Sequence, residues 1–326
     1  MNPKRGLAAS DPDAAVLTGK AMWAKRDDVP TVPTEVPISP MERALLAYAR
    51  HAPISWGKYR LVNALWKRAA PDRRFREAKL IYGGFRVSCD IGEIIQRQLY
   101  FFGTYHLERG FIAVWRGFAR DSHVIFDVGA NAGIYSLAAI SANPNAMVHA
   151  FEPTPEIADR LRQVKARNGL HDLTIVEAAV CDSAGQARLV RCNGGGDNGG
   201  MNFISQDAVA DDVQVVEAIT LDGYCRQQGI DHIDLMKVDV QGLEPDVFRG
   251  AHDLLSQGRI GRILVELNWG PPGEISSADD LIALLDRHGF HFSAIKTAPH
   301  WRRPGAWLRR HADIMASRIV DTPRAD

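Results

Sequence analysis

Four carboxylates close four apolar runs, and their positions are where the sequence reads as chemistry. Asp127 lies near the end of Val124-Ile125-Phe126-Asp127-Val128, and Glu152 ends Met147-Val148-His149-Ala150-Phe151-Glu152. Asp239 ends Ile233-Asp234-Leu235-Met236-Lys237-Val238-Asp239, and Glu266 lies near the end of the run Arg262 to Leu267. Short runs rich in β-branched and aromatic residues predict strands, and open α/β sheets bind ligands beyond the carboxyl ends of their strands. The four groups are therefore expected on one rim. After Asp127 the turn Gly129-Ala130-Asn131-Ala132-Gly133 has little side-chain bulk, and Ile134, Leu137, Ala138 and Ile140 then recur at helical spacing. A ligand can approach such a backbone at a helix N-terminus. A dinucleotide cradle carries Gly-x-Gly-x-x-Gly, whereas this turn reads Asp127-x-Gly129-x-x-x-Gly133. A carboxylate there repels a pyrophosphate but accepts hydrogen bonds from an ammonium, or from a backbone amide if it only caps the turn. Glu152 follows roughly 25 residues on, near the spacing at which an acidic residue takes ribose hydroxyls; the alternative is a solvated strand end. A free ribose with a cationic, amino-acid-like end describes S-adenosylmethionine.

Across the rim, Asp239 is the first candidate for a general base or for orienting an acceptor hydroxyl, and Glu266 is the second. Each has a structural alternative, Asp239 as the cap of the following turn. Lys237 alternates with Asp239 and is expected to share its face as an ion pair. The glycine loop Asn193 to Gly200 reads either as a lid over the donor or as an ordinary solvent loop, and the Trp and Arg residues of His300 to Arg310 either as a surface cluster or as a contact for a sugar or anionic acceptor.

The elements that must position these groups follow from periodicity. Residues 1–40 are Pro-rich and read as a disordered lead-in, and residues 41–80 as a helical extension broken at Pro53. Its basic amphipathic character fits either packing on the main domain or contact with a membrane surface or partner. Residues 81–320 form the main domain. Gly83 to Phe102 reads as a strand pair or a strand and helix, and Gly103 to Phe118 as a helix with Phe111, Val114 and Trp115 on one face. Thr154, Pro155 and Glu156 start a helix that stops at Asn168-Gly169. Leu173 to Glu177, Ala187 to Cys192 and Val213 to Thr220 are strand-like. Pro245 to Gln257 reads as one helix, Ser277 opens another that ends at His288-Gly289, and Phe290 to Ile295 and Ala312 to Ala316 close the sheet. Alternating strands and helices predict an α/β fold, mostly parallel, with helices on both faces.

The ordered blocks Asp127-Val128-Gly129-Ala130-Asn131-Ala132-Gly133-Ile134-Tyr135-Ser136, Ala150-Phe151-Glu152-Pro153, Ala179-Val180, Ile219-Thr220-Leu221-Asp222 and Lys237-Val238-Asp239-Val240-Gln241-Gly242-Leu243-Glu244 resemble the FkbM family of S-adenosylmethionine-dependent methyltransferases. The resemblance covers about residues 80 to 295. It implies a class I methyltransferase (Rossmann-like) fold, a seven-stranded sheet with one antiparallel edge strand. It also implies O-methylation of sugar or polyketide hydroxyls, and a donor site at Asp127, Gly129, Ala130, Asn131, Gly133, Glu152, Pro153 and Ala179. Two positions depart from the family pattern: Gln241 stands where relatives commonly carry Glu, and His106 near a common acidic position.

Composition narrows the remaining classes. Lys+Arg and Asp+Glu both number 39, so net charge gives no reason to expect nucleic acid. The four cysteines show neither CxxC spacing nor a paired His, which argues against zinc or a disulfide framework. No run is long and apolar enough to span a membrane, and the N-terminus lacks a signal-peptide core, so a cytoplasmic protein is expected. The expected partner is a small-molecule or glycan acceptor. An NAD-dependent oxidoreductase lacks its glycine pattern here, and a non-catalytic nucleoside-binding module has Gln241 in its favour.

Overall fold

The computed structural model describes residues 38–53, 57–69, 75–190, 203–204, 213–240, 242–268, 277–294 and 311–318. All lie in the unit Val32–Asp326; the other unit, Met1–Thr31, falls outside them. The chain opens with helices α1 (Pro40–His51) and α2 (Lys58–Ala69), which end and restart around Pro53 as the sequence predicts. An antiparallel hairpin, β1 (Phe75–Lys79) and β2 (Arg86–Asp90), leads to α3 (Ile94–Phe102), whose end Gly103 caps in the left-handed region. Gly103 therefore stops one helix rather than starting the next. After a 3-10 turn at His106–Glu108, α4 (Arg109–Ala119) begins six residues later than Gly103; of the predicted face Trp115 is buried and Val114 partly so, and Ile112 and Ala119 complete the buried stripe.

The main domain then alternates: β3 (Val124–Val128), α5 (Ile134–Ala142), β4 (Met147–Phe151), α6 (Pro155–Asn168) and β5 (Leu173–Val176). A second region follows with β6 (Ala179–Val180), β7 (Gly185–Val190), β8 (Phe203–Ile204) and β9 (Val213–Ile219). The chain returns through α7 (Leu221–Gln228), β10 (Ile233–Val238), α8 (Glu244–Arg249), α9 (His252–Ser256), β11 (Ile260–Asn268), α10 (Ser277–Arg287), β12 (Phe290–Ala294) and β13 (His311–Arg318).

Seven strands form one sheet in the order β12-β13-β11-β10-β3-β4-β5. β11, β10, β3, β4 and β5 pair in parallel, and β13 runs antiparallel to both β11 and β12. This is the class I methyltransferase order, with one correction to the expectation. The opposed strand lies one in from the edge, because β12 pairs back against β13 and so regains the direction of the others. The two strand-like runs before α7 leave this sheet and form a second one, β6-β9-β7-β8.

Period-two alternation splits the apolar side chains between two cores. Ile125, Val148, Ala150, Leu235 and Leu264 join the core of α1 to α6. Phe126, Val128, Phe151, Met236, Val238, Ile263 and Val265 join that of α7 to α10. Helices thus cover both faces. The helix predicted from Pro245 to Gln257 is two: a side chain at Gly250 would overlap the Cys181 carbonyl, and the Asp222 carboxylate accepts from the amides of Asp253 and Leu254 (both 2.9 Å) to start α9 afresh.

Candidate active site

Strand order reverses between β3 and β10, the point at which open α/β sheets form their ligand crevice. The register puts Lys237 beside Asp127 and Val238 beside Val128, with Ala150 and Phe151 on the other side of β3. Asp127, Glu152 and Asp239 therefore stand on three adjacent strand ends. Val265 pairs with Val238, so the backbone of Glu266 follows on the next strand; its side chain lies outside the described residues.

Asp127 is completely buried, and its Oδ2 accepts from the Ser136 amide (2.9 Å) and hydroxyl (2.6 Å). It caps the first turn of α5, the structural alternative that the sequence allowed. Burial pushes its carboxyl above the usual range, and the Lys237 ammonium and the Ser136 bonds pull it back only in part. Asp127 Oδ1 is buried with no hydrogen-bond partner among the described residues, so one acceptor stays unused.

The glycine turn is held by its own backbone. Gly129 and Ala130 both donate to the Phe151 carbonyl (3.0 and 2.9 Å), and Gly133 donates to Ala130 (2.8 Å). Gly129 (φ +78°) is required sterically, because a Cβ there would overlap the Asp239 carbonyl oxygen. Asn131 (φ +47°) is left-handed without being glycine, and its amide donates to Glu152 Oε2 at 2.9 Å. Glu152 Oε1 accepts from the Thr154 amide at 2.9 Å. The buried Glu152 carboxyl is pushed up by desolvation against these bonds. It is a buried brace between the turn and the start of α6, not a solvated strand end. Pro153 is half-buried beside it, and Ala179 is buried in the small core of the second sheet, paired with Ala218.

On the β10 side, Lys237 Nζ donates to Asp239 Oδ2 at 2.9 Å; the lysine side chain is 7% exposed and the aspartate 28%. The ion pair expected from alternation is present. Burial alone would lower the Lys237 ammonium, but Asp239 and Asp127 outweigh it and hold it above its ordinary value. Its Nζ also lies 4.7 Å from the centroid of the Tyr135 ring, and the Tyr135 hydroxyl donates to Glu108 at 2.8 Å. The sequence reading gave no role to Tyr135, Glu108, Ser136 or Glu244. Glu244 Oε1 accepts from Val240 (3.3 Å) and Gly242 (3.1 Å), fixing the turn after β10. A carboxylate at the first position of a helix after a glycine turn was a usable signal for that role. Gln241, the Asn193–Gly200 loop and the His300–Arg310 cluster lie outside the described residues. His106 stacks on Phe102 with ring centroids 4.4 Å apart. Among the described residues no group of three or more His, Cys, Asp or Glu could hold a metal ion.

Two buried carboxylates on neighbouring strands, one with an unused acceptor oxygen, suit a ligand with a cationic end and free hydroxyls. Residues 127–292, from Asp127 to the middle of β12, match the model of the methyltransferase FkbM domain. The chain belongs to that family. Methyltransferases of the FkbM family use S-adenosylmethionine, and the residues around Asp127 and Glu152 fit such a donor. Relatives include the AMB antimetabolite synthetase AmbE of Pseudomonas aeruginosa, 32% identical over 52% of this chain and 10% of its own. The 2-O-methyltransferase NoeI of Sinorhizobium fredii is 32% identical over 42% of this chain and 60% of its own. The 31-O-demethyl-FK506 methyltransferase FkbM of Streptomyces tacrolimicus is 30% identical over 52% of this chain and 74% of its own. The chain thus spans a tenth of the first relative and less than two thirds of the second.

Proposed function

We propose that this FkbM-family methyltransferase O-methylates a hydroxyl of a sugar, glycan or secondary metabolite, in the cytoplasm. S-Adenosylmethionine supplies an activated methyl on a sulfonium. In this reading Asp127 Oδ1 takes the donor's ammonium and Glu152 its ribose hydroxyls, through lone pairs left over from the Asn131 and Thr154 amides. Ala130, Asn131, Gly133, Pro153 and Ala179 line that side, and Gly129 lets the β10 end close against it. The observation that carries the reading is the unpartnered, buried Asp127 Oδ1 one strand from Glu152.

Asp239 orients the acceptor hydroxyl. Its partner Lys237 holds a positive charge beside it, 2.9 Å from Oδ2, and fixes where the carboxylate points. Holding the oxygen in line behind the methyl supplies much of the rate. Glu266, on the adjacent strand, stays the second acceptor-side residue. Oxygen as the methylated atom is supported by the names of two relatives, NoeI and FkbM.

Thermal melting with S-adenosylhomocysteine tests the donor side: stabilisation is expected, with Asp127→Asn and Glu152→Gln weakening it, and stabilisation by NAD alone would overturn the reading. Labelled methyl transfer into extract glycans and small molecules tests the acceptor side. Transfer that Asp239→Asn leaves untouched removes Asp239 from it.

A further inference from the structure

The two N-terminal helices carry a surface that methyl transfer does not use. The Ser39 hydroxyl donates to the Ala69 carbonyl at 2.8 Å, and Lys58 Nζ reaches the carbonyls of Ala49 (3.2 Å) and Ala52 (2.5 Å). Each helix therefore starts where the other ends, and the two form an antiparallel pair. Glu42, Leu45 and Ala49 of α1 and Lys58, Val62 and Ala69 of α2 are buried. Arg43, Ala47 and Arg50 on the first helix, and Arg60, Ala64, Lys67 and Arg68 on the second, are exposed at the spacing of one stripe per helix; Pro40, Met41, Ala44, His51 and Leu61 are exposed as well.

Those stripes have one sign of charge. The two helices contain a single carboxylate, Glu42, which is 1% exposed and paired with Arg76 at 2.6 Å, although the whole chain balances 39 basic against 39 acidic residues. They also carry apolar side chains held in water. Of the six exposed large hydrophobics among the described residues, Ile38, Met41 and Leu61 fall here. Ile38 and Met41, at the start of α1, lie at the end of the pair where Lys67 and Arg68 close α2. Arg50, which also donates to the Tyr100 carbonyl, ties the layer to α3.

We propose that the outer face of α1 and α2 docks the protein on an anionic lipid bilayer. Headgroups of that charge take the Arg and Lys side chains, while the interface below them takes Leu61, which shares a helix face with Ala64 and Arg68. A nucleic-acid backbone would satisfy the cations but offers little to an exposed isobutyl group. The proposal goes beyond methyl transfer and does not depend on which hydroxyl is methylated.

The full chain is sedimented with vesicles of phosphatidylcholine alone, or of phosphatidylcholine with about a third phosphatidylglycerol, at low and high salt. Binding is expected only to the anionic vesicles and is expected to weaken with salt. The triple variant Arg60→Glu, Lys67→Glu, Arg68→Glu should lose at least about tenfold in partitioning. Leu61→Ser should weaken binding while keeping its salt dependence. All variants should melt as the wild type does and keep its stabilisation by S-adenosylhomocysteine, which separates a docking failure from a donor-site failure. The proposal is overturned if the wild type ignores anionic vesicles, if the triple variant binds them as tightly, or if a short RNA or DNA duplex binds through these residues in preference to vesicles.

Discussion

Lys237 is the residue on which both sides of the rim depend. Its ammonium acts on Asp127, the cap of α5, and bonds Asp239, the group proposed to face the acceptor. Replacing it by Met leaves two carboxylates without their cation, one of them completely buried, and a loss of about 3 kcal/mol of stability is expected. Lys237→Arg should lose less, and adding Asp127→Asn to Lys237→Met should recover part of the loss. Urea unfolding of the wild type, Lys237→Met, Asp127→Asn and the double variant checks this as a double-mutant cycle; additive effects would mean that the two groups do not interact. Gly129 makes a second, purely steric prediction. With φ at +78° and the Asp239 carbonyl where a Cβ would go, Gly129→Ala must push β3 and β10 apart at their ends. A cost of at least about 2 kcal/mol is expected, with loss of S-adenosylhomocysteine binding. An unchanged melting temperature would show that the turn tolerates the side chain.

The helices and strands differ in how far the sequence displayed them, and the differences have physical causes. Val124 to Val128 and Ile233 to Val238 were legible because both faces of a parallel strand are buried, which makes them mostly apolar runs broken only by Asp127, Asp234 and Lys237. The α6 boundaries were legible because Pro155 and Gly169 act through local backbone geometry alone. The split between α8 and α9 was not, since it depends on the Cys181 carbonyl and the Asp222 carboxylate, which are distant in sequence. Likewise the types and spacing of Asp127 and Glu152 singled out the two carboxylates, but which atoms they bond did not follow from spacing. Periodicity found α1 and α2 while leaving open what holds them. That anchor is polar: Arg76 of β1 bonds both oxygens of Glu42 (2.6 and 3.3 Å), and the Tyr100 hydroxyl of α3 bonds one of them at 2.8 Å. Arg76→Met leaves a buried carboxylate with only a phenol, and a loss of about 3 kcal/mol is expected. The pair Arg76→Met with Glu42→Leu should be much closer to neutral, measured by chemical denaturation. If both variants cost the same, the anchor is packing rather than charge.

A sheet with a core on each face can fail from either side, and the pH dependence of stability reports on both. On the α7–α10 side, His149 lies among Phe126, Phe151 and Tyr224, with Nδ1 2.8 Å from the Tyr224 hydroxyl. Burial lowers its pKa from the usual 6.5 to about 4. On the other side, burial does the same to His106, helped by the charges of Arg109 and Lys58. The unfolded chain takes up a proton at each imidazole as pH falls through 6.5, and the folded chain does not until about 4. Unfolding therefore consumes protons across that window, so this contribution to stability is complete above it and is lost on acidification. Asp127, Glu152 and Glu244 act in the opposite sense. Their carboxyls are raised by burial, so folding takes up protons just above the ordinary carboxyl range and acid favours the folded form. A whole-protein profile mixes the two, and a difference between proteins separates them. His149→Asn keeps a polar atom near the Tyr224 hydroxyl but cannot titrate, and the carboxyl contributions are common to both chains. The stability advantage of the wild type over this variant should shrink by roughly 3 kcal/mol between neutral pH and pH 4. Urea unfolding at a series of pH values reads that difference. If it stays flat with pH, His149 titrates alike in the folded and unfolded chains, and the acid sensitivity of the protein originates on the other face of the sheet.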